Sequence, residues 1–114
     1  MGLELKVIGK SHDLINGGRA IRFHAIVAGK KYPAFVIRYD NSIYGFMNQC
    51  PHVPVELDWL EGLFFDASAK YLICSNHGAL FSPESGKCLE GPCNGTSLKK
   101  VAVFEKEGNI FTVP

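Results

Sequence analysis

Four residues in two short stretches have the types and spacing to hold a metal: Cys50 and His52 in Cys50-Pro51-His52, and Cys74 and His77 in Cys74-Ser75-Asn76-His77-Gly78. Each stretch offers one thiolate and one imidazole, ligands that soft and borderline transition metals take readily. Pro51 and Gly78 suit the tight backbone of a ligand loop. A Cys₂His₂ set also satisfies tetrahedral zinc, although structural zinc usually takes a Cys-x-x-Cys knuckle, and this chain has none. The other two histidines, His12 and His24, have no comparable partner and are read as structural.

Two loops of this kind need a rigid base. Apolar and polar residues alternate over Ile21 to Val27, and further strand-like runs cover Ala34 to Tyr39 and Ile43 to Asn48, the last delivering the chain to Cys50. Gly29-Lys30-Lys31 and Asp40-Asn41 read as the turns between them. Val101 to Glu105 and Ile110 to Val113 flank Glu107-Gly108-Asn109, a connection typical of hairpins. The expectation is an all-β fold, with an antiparallel base and no capped helix; Val53 to Leu60 is the best candidate for one helical turn. From Cys50 to about Gly95 the chain holds all four Cys and four of the six Pro, which predicts a loop-built subdomain inserted between the strands of the base.

With both ligand stretches assembled, the chain resembles the Rieske family, especially its small ferredoxins. The resemblance continues through Ala79-Leu80-Phe81-Ser82-Pro83-Glu84-Ser85-Gly86-Lys87 to Gly91-Pro92-Cys93, and covers roughly residues 43 to 104. It implies a Rieske-like sandwich or barrel base, one domain over 1–114 with its cluster-binding part at about 48–95, and a [2Fe-2S] cluster with Cys50 and Cys74 on one iron and His52 and His77 on the other. Replacing two thiolates by neutral imidazoles leaves the oxidised core formally neutral, so taking up an electron costs less than in a Cys₄ cluster, and potentials lie at about −150 to +300 mV.

High-potential members carry an additional Cys in each ligand loop and a Ser after the His-Gly pair. Here Val55, Asn76 and Ala79 stand in those places, which implies a low-potential cluster. The 21 residues between His52 and Cys74 exceed the ferredoxin pattern, so the stretch through Leu57, Asp58, Trp59, Phe64 and Phe65 is read as an insertion. Cys88 and Cys93 have no cluster role in the resemblance; of additional ligands, a short disulfide and buried thiols, they are read as buried thiols, because a disulfide is uncommon in a cytoplasmic protein. Trp59, Phe64 and Phe65 are read as core or cluster cover, Lys99-Lys100 as a solvated strand end, and Glu56, Asp58 and Glu61 as acids able to steer a basic partner.

Composition narrows the function. Twelve Lys and Arg balance 11 Asp and Glu without a run of like charge, which argues against nucleic-acid or membrane binding. The start of the chain has no apolar run of signal-peptide length, and no stretch approaches the roughly 18 apolar residues of a membrane span; a cytoplasmic protein is expected. The resemblance implies a one-electron carrier, the ferredoxin component of an oxygenase-like chain, with redox partners such as a flavin reductase and a terminal oxygenase. Two alternatives are a small subunit of a nitrite-reductase-type oxidoreductase and a redox or iron sensor. Independent catalysis by an oxygenase would need a second, mononuclear iron site, and only His12 and His24 remain to build one.

Overall fold

In the computed structural model, residues 6–51, 55–58, 60–75, 78–91 and 95–113 are described. The strands are β1 (Lys6–Lys10), β2 (Ile21–Val27), β3 (Lys30–Tyr39), β4 (Ser42–Met47), β5 (Leu72–Ile73), β6 (Leu80–Phe81), β7 (Cys88–Glu90), β8 (Lys100–Val101), β9 (Val103–Lys106) and β10 (Asn109–Thr112). They form three antiparallel sheets, ordered β1-β10-β9, β2-β3-β4-β8 and β5-β6-β7. The one helical element among the described residues is a 3-10 turn at Ser11–Asp13, and no helix is long and apolar enough to cross a membrane.

The all-β expectation is met, and β3 shows why its central run does not alternate between apolar and polar. Ala34, Phe35, Val36 and Ile37 are all essentially buried because both faces of the strand are covered. Phe35 and Ile37 join a core with Phe46, Leu57, Phe64, Leu72 and Phe81, whereas Ala34 and Val36 join one with Leu14, Phe23, Ala25 and Ile110. The second core fills the base between its two sheets, and the first lies under the inserted segment. β8 and β9, separated only by Ala102, belong to different sheets, so the chain crosses from one layer to the other there.

The turns follow strand twist. Asp40 and Asn41 both have positive φ, at 50° and 68°, which a two-residue primed hairpin turn requires. The turn expected at Gly29-Lys30-Lys31 is instead formed by Ala28 and Gly29, at 52° and 79°, with Lys30 already in β3. Of the helical turn expected over Val53 to Leu60, residues 53, 54 and 59 lie outside the described residues, and residues 55–58 and 60 are not helical.

The segment between β4 and β8 has its two ends side by side. β4 pairs with β8 at Gly45↔Val101 and Phe46↔Lys100, so everything between leaves and re-enters the base at one point. Inside it, Phe64 is fully buried and its ring stacks on Phe35 at 3.7 Å, while Phe65 bridges Leu72 and stacks on Tyr39. These aromatics pack the core, as expected; Trp59 lies outside the described residues.

Candidate metal centre

Strand β4 ends at Met47, and Cys50 follows on a loop closed by its own backbone N–H, which donates to the Val55 carbonyl at 2.8 Å. Cys74 follows β5 on a tighter turn. Its N–H donates to the Ala79 carbonyl at 2.9 Å, and the Gly78 N–H donates back to the Cys74 carbonyl at 2.8 Å. Gly78 sits at φ +69°, where a residue with a Cβ is strained, so the chain reverses here on the residue type that tolerates it. Each loop is thus a small hydrogen-bonded ring with a cysteine at its start.

Both cysteines are buried and outside any disulfide, Cys50 3% and Cys74 0% exposed, and both belong to the core beneath the inserted segment. His52 and His77 lie outside the described residues. Among the described residues no three metal-ligating side chains gather at one point.

The two loops are hydrogen-bonded to each other. Leu57 accepts at its carbonyl from the Ser75 N–H and hydroxyl, and its N–H donates to Asn48 Oδ1. Nearby, Arg22 of β2 reaches Glu56 at 2.8 Å, Asp58 at 3.6 Å and Glu61 at 3.7 Å. The acids read from sequence as a steering group therefore share one internal cation. Asp58 is turned fully inward, which leaves Glu56 and Glu61 as the exposed carboxylates. Arg22 could not be found from sequence, because only the β2–β3–β4 register brings it to residues some 34 positions away. Asn48 was likewise missed: an amide side chain carries no sequence signal of burial.

One expectation is corrected. Cys88 is buried as foreseen but is disulfide-bonded rather than a thiol. The expectation rested on the reducing character of a cytoplasmic setting, an argument about environment that says nothing of local geometry. Cys93 lies outside the described residues. His12 and His24 are both exposed and outside the site, His12 beside Asp13 and His24 on β2 opposite Pro33.

The Rieske [2Fe-2S] domain family model matches residues 4–113. The chain belongs to this family. A Rieske domain carries a [2Fe-2S] cluster, and Cys50 and Cys74, buried at the heads of two hydrogen-bonded loops, are residues of the type that can supply thiolates to such a donor set. None of the curated proteins matches the chain. Among solved structures it is similar to the ferredoxin of carbazole 1,9a-dioxygenase from Nocardioides aromaticivorans IC177, at 22% identity and TM-score 0.71, covering 96% of this chain and 97% of that one. It is also similar to the Sphingomonas yanoikuyae B1 ferredoxin, at 14% identity and TM-score 0.71, with 97% and 99% covered. A third likeness is to a chain in a complex of reduced oxygenase and oxidised ferredoxin in carbazole 1,9a-dioxygenase, at 21% identity, TM-score 0.71, with 98% and 94% covered. At these identities the likenesses establish a common Rieske ferredoxin fold over nearly the whole chain.

Proposed function

We propose that this Rieske protein is a one-electron carrier whose cluster is held by Cys50, His52, Cys74 and His77, and that it serves an oxygenase-type redox chain. The observation that carries the reading is the pair of buried cysteines outside any disulfide, each at the head of a closed loop and both in one core, within a chain matched almost end to end by the Rieske family. When bound, the cluster supplies a site that accepts and returns one electron.

The chain's own residues do the rest. The backbone hydrogen bonds from Cys50 to Val55 and from Cys74 to Ala79 hold the two cysteines, and the apolar core of Leu57, Phe64, Leu72 and Phe81 keeps water from the buried side. A low-dielectric flank disfavours added negative charge, whereas hydrogen bonds to the sulfurs favour it, and the balance sets the potential. Val55, Asn76 and Ala79 supply neither the additional cysteines nor the hydroxyl of the high-potential type, which supports a low potential. Support for an oxygenase partner comes from the shared fold with ferredoxins of carbazole 1,9a-dioxygenase, one of them in complex with its oxygenase. A flavin reductase fits as donor, and a cytoplasmic setting fits this role.

The test is an absorption spectrum of the protein purified without oxygen, EPR of its reduced form and a redox titration. A Rieske-type EPR signal and a midpoint below about +100 mV are expected, within the family range. Cys50→Ser and Cys74→Ser should each abolish the signal. Colourless protein holding zinc, or a signal that survives both substitutions, would overturn the assignment.

A further inference from the structure

The Leu57 peptide group is bonded on both sides. Its N–H donates to Asn48 Oδ1 at 2.8 Å, and its carbonyl accepts the Ser75 N–H at 3.0 Å and the Ser75 hydroxyl at 2.7 Å. Asn48 stands two residues before Cys50, and Ser75 directly follows Cys74. A strut of one amide, one peptide and one hydroxyl therefore spans from the first loop to the second.

Its inner end is anchored. Asn48 is 1% exposed, and its Nδ2 donates to Asp58 Oδ1 at 3.0 Å. Asp58 Oδ2 accepts the Gly62 N–H at 2.9 Å, and Arg22 Nε lies 3.6 Å from it. The Asp58 side chain is 0% exposed, and a carboxylate buried that far is tolerated only when paired and hydrogen-bonded. Those partners come from β2, from the end of β4 and from the insertion itself. Moving the Leu57 peptide would break bonds to several parts of the chain, so the strut has one favoured length.

We propose that Asn48 and Ser75 are positioning residues for the metal centre, setting the separation of the Cys50 and Cys74 loops through the Leu57 peptide. The inference rests on the reading that these two loops hold the cluster. Neither side chain is asked to touch a metal. Asn48 is occupied by Leu57 and Asp58, and the Ser75 hydroxyl by Leu57. What they supply is a preset spacing, which lowers the ordering cost of closing the ligand set and slows its reopening.

The experiment uses the full chain loaded with its cluster, as wild type, Ser75→Ala, Ser75→Thr and Asn48→Ala. Three quantities are read: bleaching of the oxidised cluster by an iron chelator, the EPR spectrum after reduction, and the melting temperature of metal-free protein. Ser75→Ala should bleach about fivefold faster, the factor equivalent to one net hydrogen bond. Its EPR features should broaden, while its metal-free melting temperature falls by no more than the few degrees that one hydrogen bond accounts for. Ser75→Thr keeps the hydroxyl and should restore both the rate and the spectrum. Asn48→Ala should bleach faster still; if it does not fold, the Ser75 pair decides alone. The proposal is overturned if Ser75→Ala matches wild type in rate and spectrum, if Thr restores neither, or if the change appears only in metal-free melting. Wild-type protein that takes up no cluster would instead overturn the site reading beneath it.

Discussion

Gly78 carries the reversal of the loop after Cys74 at φ +69°, and a Cβ placed there would meet nothing within 4 Å. Gly78→Ala therefore introduces backbone strain without a clash, about 1 kcal/mol, and that strain falls on the ring containing Cys74. The variant should fold yet retain a lower iron-to-protein ratio, and Gly78→Asn, whose side chain tolerates this conformation, should retain more; iron analysis of the three proteins side by side settles it. Cys88 gives a second test. Denatured, metal-free protein should titrate fewer than four thiols before reduction and four after it. At this scale residue type alone singled out Cys50 and Cys74, which the fold buries in one core. The sequence was silent where burial makes an ordinary residue matter, as with Asn48 and Asp58, and it misled at Cys88, where the expected compartment stood in for local geometry.

Strand pairing explains which elements could be read in advance. Runs such as Ile21–Val27 were long enough to show a period of two, and the Asp40-Asn41 turn has residues suited to positive φ. β5 and β6 have two residues each and β7 three, too few for any period to register, so the small sheet beneath the ligand loops was legible only as a loop-rich stretch. The β2–β3 turn was placed too late because Ala28, at φ 52°, is a poor residue for the conformation it adopts. Ala28→Asn should stabilise the protein by about 0.5 kcal/mol through easier access to that region, raising the midpoint of urea unfolding with the slope unchanged. An unchanged or lowered midpoint would show that the turn is not limiting. On β3, Val36→Ala should loosen the base and Ile37→Ala the inserted side, each by about 2 to 4 kcal/mol, because the two residues face different cores.

Besides the core between them, the two sheets of the base are joined, among the described residues, by a part-buried ion pair. Arg38 on β3 donates through Nη1 and Nη2 to both carboxylate oxygens of Glu105 on β9, and its Nε donates to the Leu14 carbonyl at 2.6 Å. The hydrogen bond from Arg38 is the main cause that holds the Glu105 carboxyl below its ordinary range. Its stabilisation is therefore complete above that range and disappears as pH falls through the depressed value. Glu105→Gln should cost about 1 kcal/mol at neutral pH, less in high salt, and should flatten the acid limb of stability against pH. Equal acid sensitivity in the variant would remove the pair from that account. The meeting of the insertion's ends at Phe46 and Lys100 has a different kind of consequence. Because both stems of the inserted lobe spring from neighbouring strands, residues added to it enlarge a loop already closed at its neck, and doubling such a loop costs only about 0.6 kcal/mol. Residues added at its exposed Ala67-Ser68 turn can thus reshape the lobe toward a partner's contour while the scaffold underneath keeps its register, whereas Leu57, Phe64 and Leu72 hold the rest of the spacer to the core.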